Sequence, residues 1–199
     1  MTICTKEAFL KSVENHKLTS ISADDKETFI RHLRFRGESF NCWFDLITWS
    51  NCLCINGDHG CHVFSRVTDM FTFFRSKNND LAINPDYWAE KVRSESSFGN
   101  GVKEFSVETF RNNVKREFRS YCESESNKKN IKPAWNQVRD QLFGYDTECE
   151  CMDAVFSFKS DYQYLDFNDF WEYDNKEYTY HFIWCLYAIV WGIMQYDKL

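Results

Sequence analysis

The spacing of apolar positions changes along the chain, and each change marks an element. In residues 6–17, Phe9, Leu10 and Val13 fall on one face of a short helix. Thr5 can cap it, with Ala8 rather than Glu three residues on. Residues 22–27 are polar and read as a loop or one further helical turn. From Phe29 the period drops to two. Leu33 and Phe35 alternate with Arg34 and Arg36, as along a half-buried strand. Gly37-Glu38 turns the chain, and residues 40–49 form a second strand, apolar and β-branched on both faces. That pattern predicts a central strand covered twice. Ser50-Asn51 precedes a third strand at 52–55. Asn56-Gly57-Asp58-His59-Gly60 is a hairpin signal, because Asn and Gly accept positive φ, and residues 61–66 are the fourth strand.

The remainder reads as helical. Thr68 can cap a short helix to residue 74, and Asn84-Pro85 starts one that runs to about 94. Gly99-Asn100-Gly101 breaks the chain. Ser106 caps a helix to about 123, where Phe110, Val114, Phe118 and Tyr121 recur at three- and four-residue spacing. Pro133 opens another that ends at Gly144, residues 149–158 add one, and 178–197 is the last and most apolar. The fold class is α+β: a four-stranded antiparallel meander over about 29–66, packed against a helical majority with an apolar C-terminal helix, in a single domain across 1–199. The apolar run 182–194 has thirteen residues. A spanning helix needs about 20, so a buried core helix is expected and no membrane association. Residues 181–196 are apolar nearly all round, which means deep burial or a seam through which two copies meet.

Composition sharpens this picture. The 199 residues include 19 Phe, 10 Tyr and 7 Trp but only 7 Gly and 2 Pro. Many rings and few breakers predict a packed core and exclude a disordered or low-complexity chain. Nine cysteines cannot all pair internally, and the first 20 residues carry Lys6, Glu7, Lys11, Glu14 and Lys17 with no uninterrupted apolar stretch. A cytoplasmic protein with reduced thiols follows, with no secretory signal. The net charge of −6 speaks against direct nucleic-acid binding.

Cys42, Cys52, Cys54, His59, Cys61 and His62 lie close along the meander, and Cys and His are zinc ligands. Cys52 and Cys54 are one residue apart on a strand, so their sulfurs share a face at roughly 7 Å, awkward for one tetrahedral ion. Cys61 and His62 point to opposite faces. Buried apolar cysteines are therefore expected, with no metal and no cofactor. Asp58, His59 and Cys61 sit at one hairpin tip, where neighbours in sequence do not supply nucleophile-base geometry, so no catalytic residue is assigned. Gly99-Asn100-Gly101 is followed by Val102-Lys103, which is no phosphate loop. Glu148, Glu150 and Asp153 read as a solvated helix start. Arg31, Arg34 and Arg36, and the helical row Arg111, Lys115, Arg116 and Arg119, read as solvated faces.

The strongest signal is charge partition. Residues 144–177 hold ten acids and two bases, Lys159 and Lys176, so this segment is −8 while the rest of the chain is +2. The same segment is rich in rings, which argues for a folded acidic surface rather than a tail. Its candidate partner-binding residues are Asp161, Tyr162, Tyr164, Asp166, Asp169, Trp171, Glu172, Tyr173, Asp174 and Glu177. Such a surface can steer onto a basic groove, with Tyr and Trp as anchors. The alternative is an enzyme acting on a nucleotide or nucleic acid through His32, Asp45, His59, Cys61 and His62. A third reading is a structural or regulatory protein that self-associates through its last helix.

Two stretches carry a resemblance. One spans Arg31-His32-Leu33-Arg34-Phe35, Phe44-Asp45-Leu46-Ile47-Thr48-Trp49, Gly57-Asp58, Val63-Phe64, Asp69-Met70-Phe71 and Phe73-Phe74-Arg75. The other is Asp169-Phe170-Trp171-Glu172 with the run from Glu177-Tyr178-Thr179-Tyr180-His181 to Gly192-Ile193. Together they resemble uncharacterised accessory proteins of tailed phages and prophages. The resemblance assigns no catalytic residue. It implies a protein acting in the bacterial host cytoplasm as an inhibitor of a host defence system, in the manner of anti-CRISPR proteins. Its partner would be a host defence protein or ribonucleoprotein complex.

Overall fold

Alternation at Leu33 and Phe35 becomes strand β2 (Ile30–Arg36), whose alternate side chains are buried. This arrangement comes from a computed structural model that describes residues 3–24, 28–39, 41–76, 78, 80–96 and 101–199. Phe40, Gly99, Asn100 and residues 25–27 of the expected elements lie outside the described residues. The chain gathers into two compact units, Met1–Glu104 with Tyr178–Leu199, and Phe105–Glu177.

In the first unit the meander has six antiparallel strands, not four. To β2, β3 (Phe44–Trp49), β4 (Cys52–Gly57) and β5 (Gly60–Ser65) the structure adds β1 (Lys17–Asp24) and β6 (Val92–Glu95), and the order in the sheet is the order in sequence. Both additions are edge strands with mostly exposed side chains. An edge strand that must stay polar to resist pairing with other chains carries no apolar alternation to read. The helix expected over 85–94 accordingly stops at Ala89, and Ser65 N–H donates to the Lys91 carbonyl at 3.0 Å where the edge pairing begins. The β4–β5 turn places Asp58-His59 between the paired Gly57 and Gly60, and Gly60 has φ of 104°, which only glycine adopts without strain.

Register puts the apolar set on one side. Leu33, Leu46, Ile55 and His62 are successive cross-strand partners, as are Arg31, Thr48, Leu53 and Phe64. All eight are buried. Against them pack α1 (Lys6–Ser12), which precedes β1, α2 (Met70–Phe74) and α3 (Pro85–Ala89), which follow β5, and α7 (Tyr180–Tyr196), the last and most apolar helix. Trp184 meets Phe9 and Phe44 at ring distances of 5.3 and 5.7 Å, and Trp191 meets Phe35 at 5.5 Å. This helix is deeply buried: residues 182–186, 188–190, 192 and 193 are all enclosed. β3 is not covered equally on both faces. Phe44 and Leu46 are fully enclosed, whereas Trp49 on the opposite face is 41% exposed. No helix among the described residues is long and apolar enough to cross a membrane.

Caps follow the sequence closely. Thr5, Asn84 and Ser106 each accept the expected backbone N–H, whereas α2 is capped by Asp69 rather than Thr68. The start of α7 is the most enclosed of these. Thr179, 1% exposed, accepts from Phe182 N–H at 3.1 Å and donates to the Gly101 carbonyl at 2.7 Å. Thr179→Ala removes both bonds and is expected to cost about 1–2 kcal/mol. Thr179→Ser should recover most of it, as urea unfolding of the two variants can check.

The second unit is helical: α4 (Val107–Ser124), α5 (Lys128–Leu142) and α6 (Glu148–Ser157), followed by an irregular segment with a 3-10 turn at Phe170–Glu172. Pro133 does not open its helix as expected. It lies inside α5, which Asn127 caps six residues earlier, at the expense of one backbone hydrogen bond. Phe110, Val114, Phe118 and Tyr121 of α4 form the predicted stripe and meet Ala134, Val138, Leu142, Cys151 and Val155 in one core. The chain leaves and re-enters the first unit through β7 (Lys103–Phe105) and β8 (Lys176–Tyr178), which pair as a two-stranded sheet.

Candidate functional site

The acidic segment after α6 is held by three inward side chains. Leu165, Phe167 and Phe170 are each 5% exposed or less and belong to the core of the second unit. Phe170 meets Phe110 at 5.5 Å, and Phe167 meets Phe158 at 5.1 Å. Between and beside these anchors the alternate positions face outward: Tyr164, Asp166, Asp169, Trp171 and Glu172 are exposed. Tyr164 is 78% and Trp171 63% exposed, far from the enclosure usual for rings of that size. Tyr164 also has φ of 65°, a left-handed backbone that a bulky residue seldom adopts.

The other five predicted residues divide. Asp161 and Asp174 are exposed, and each accepts a hydrogen bond: Gln137 Nε2 donates to Asp161 Oδ2 at 3.1 Å, and Lys176 N–H donates to Asp174 Oδ1 at 3.0 Å. Tyr162 is half-buried at the rim of the core. Tyr173 is also half-buried. Its hydroxyl donates to Glu117, whose carboxylate holds the phenol above its ordinary pKa, and Arg116 lies 4.6 Å above its ring. Glu177 accepts from the Thr109 hydroxyl. These three tie the segment to its own unit rather than offering themselves to a partner. The unit's charge is bipolar: residues 107–142 carry eight bases and five acids, residues 144–177 two bases and ten acids.

In the first unit the face of the sheet opposite the helices carries the other polar constellation. Arg34 clamps Asp45 with two bonds, Nε to Oδ1 at 2.8 Å and a terminal nitrogen to Oδ2 at 2.7 Å. His32 Nε2 lies 3.1 Å from the same Oδ2. Asp45 is only 4% exposed. Burial pushes its carboxyl up, but Arg34 and His32 outweigh burial and hold it below the usual range. Of the residues that an enzyme would use, the structure brings only His32 and Asp45 together. Cys61 lies on β5, two strands from Asp45. His59 sits at the β4–β5 tip, 2.9 Å from His181 between their Nδ1 atoms and stacked on Trp184 at 4.1 Å. His62 lies among Phe64 and Phe182 on the opposite, buried face. Burial, then the neighbouring His181, pushes His59 and His62 each down to about 4.

The Cys/His run disperses in the same way. Cys52, Cys54 and Cys61 share the face opposite the helices, as strand alternation predicts, and are half-buried rather than enclosed as expected. Among the described residues no group of three or more His, Cys, Asp or Glu is placed to hold a metal ion. Sequence reasoning missed the meeting of Cys54 and Cys61, whose sulfurs lie 3.7 Å apart. The signal was present: an Asp58-His59 turn pairs Cys54 with Val63 and Asn56 with Cys61, which makes the two cysteines diagonal neighbours. Comparisons with protein-family models, with curated proteins and with solved structures return no match to this chain.

Proposed function

We propose that the protein is a non-enzymatic binding protein whose acidic, ring-bearing surface docks on a basic groove of a protein partner. In this reading it is a phage-type accessory protein of the bacterial cytoplasm. It inhibits a host defence protein or ribonucleoprotein by occupying a site that otherwise holds nucleic acid or a protein partner. The observation that supports it is the exposure of Tyr164 and Trp171 among exposed Asp166, Asp169 and Glu172, on a segment fixed from beneath by Leu165, Phe167 and Phe170. A large ring exposed on a rigid backbone loses little freedom on binding, so it is a favourable anchor. Acids around it raise the encounter rate with a basic partner and make binding salt-dependent.

The test uses the whole chain as bait in nuclease-treated bacterial extract carrying defence systems, at low and high salt, with mass spectrometry of the retained proteins. One partner should be held at low salt and released at high salt. Asp166→Lys with Asp169→Lys and Glu172→Lys should reduce retention about tenfold or more with an unchanged far-ultraviolet circular dichroism spectrum. Trp171→Ala should weaken binding by about 2 kcal/mol or more. Retention unchanged in the charge-reversed protein would remove this surface from the function.

A further inference from the structure

Cys54 and Cys61 project from β4 and β5 on the face of the sheet opposite the helices, and both are half-buried. Their Sγ atoms are 3.7 Å apart. Two chemistries use a pair of neighbouring thiols, and geometry separates them. A disulfide needs its Cβ atoms at about 3.5–4.5 Å, which directly opposed positions of a sheet supply. Cys54 is opposed by Val63 and Cys61 by Asn56, so the two cysteines are diagonal, and diagonal positions stand at roughly 7 Å. Closing an S–S bond there requires the strands to shift. A tetrahedral ion with metal–sulfur bonds of about 2.3 Å instead separates two of its sulfurs by about 3.8 Å. The observed 3.7 Å, a contact in which either thiol can donate to the other, also matches the separation that two thiolates take on one such ion.

We propose that Cys54 and Cys61 form a two-thiolate chelate for a soft d10 divalent cation of the zinc group, a site independent of the acidic surface. The protein supplies two of four coordination positions. Among the described residues no third ligand joins them, so water or an external ligand completes the shell. Binding exchanges two S–H bonds for two metal–sulfur bonds and releases two protons to solvent, with no change of oxidation state. Burial, with Cys61 adding to it, pushes the Cys54 thiol up to about 12, so the metal must displace the Cys54 proton and affinity rises with pH. Cys52 shares the face but sits two residues along the strand from Cys54, roughly 7 Å away, outside the reach of the same ion.

The experiment titrates the full, reduced chain with Cd²⁺, reading the ultraviolet sulfur-to-cadmium charge-transfer band and the stoichiometry by native mass spectrometry. One ion per chain is expected, and Cys54→Ser or Cys61→Ser should each weaken it about tenfold or more. Cys52→Ser and Cys149→Ser, the latter at the exposed cysteine, should leave it unchanged. Cd²⁺ bound equally well by the Cys54→Ser and Cys61→Ser proteins would overturn the site. So would absence of the charge-transfer band in the wild type. Quantitative formation of a Cys54–Cys61 disulfide by oxidised glutathione, mapped by peptide mass, would overturn the geometric argument by showing that the strands bring the Cβ atoms to bonding distance.

Discussion

Trp184→Ala is expected to lower the unfolding free energy by about 3–5 kcal/mol, the range for truncating an enclosed large ring. Trp184 is 1% exposed and joins three separate elements. Its ring meets Phe9 of α1 at 5.3 Å and Phe44 of β3 at 5.7 Å, and His59 of the β4–β5 tip stacks on it at 4.1 Å. Its Nε1–H donates to the Ser12 hydroxyl at 2.9 Å, which satisfies the one polar atom the ring buries. Alanine leaves a cavity that three elements must collapse to fill, and it orphans the stacked imidazole. A domain is stable by about 5–15 kcal/mol, so the loss is a large share of the whole. Hydrogen exchange of the α7 amides reports it specifically. Trp184→Phe keeps most of the ring contact and should recover more than half of the loss. Equal exchange in the alanine variant and the wild type would mean that the α1–α7–β3 junction does not limit stability.

Acidification is expected to weaken the first unit between about pH 6.5 and pH 4. His62 is 1% exposed and packs against Phe64 and Phe182, with the His181 imidazole acting on it electrostatically. Burial, then His181, holds its folded pKa down to about 4, against an ordinary value of about 6.5. Below about 6.5 the unfolded chain takes up a proton that the folded chain refuses, so stability is full above that pH and falls as pH drops. The fall ends near 4, where the folded form also protonates. His62 alone contributes about 3 kcal/mol across this window. His59, facing Asp58, His181, Tyr180 and Trp184, shifts in the same direction and adds to the slope. Asp45 and Asp69 do not share this window, since their depressed carboxyls lose their stabilisation only at lower pH. Urea unfolding at pH 7, 6 and 5 should show the decline, and His62→Phe should flatten it. A variant with the wild-type slope would assign the acid sensitivity elsewhere.

What the sequence made legible follows from where burial imposes a pattern. β2 to β5 were readable because one face of each is sealed, and Leu33, Phe35, Leu53, Ile55 and Phe64 must alternate with residues that are not. α4 was readable because its stripe recurs with the helical period. β1 and β6 escaped because polar edge strands are selected for being unremarkable in composition. Of the acidic surface, the ring content and charge were visible. The division of rings into Phe167 and Phe170 inside and Tyr164 and Trp171 outside was not, because irregular backbone has no period from which a facing can be read. Tyr173 and Glu177 took structural roles through Glu117 and Thr109, partners some 60 residues away in sequence that no local pattern announces.

The second unit, Phe105–Glu177, is inserted between the sheet of the first unit and the helix that closes it. This orders events on the ribosome. The six strands are all made by residue 95, but Trp184 and the rest of α7, which seal their apolar face, follow only after the whole insert has been translated. At about 5–20 residues per second the sheet waits for seconds with Phe35, Phe44 and Leu46, the part of its face that α7 covers, unsealed. During that interval the inserted helices, whose contacts are nearer in sequence, can close first. A nascent chain stalled before residue 180 should therefore present an apolar sheet to chaperones, and protease resistance of the strands should appear only once α7 has emerged.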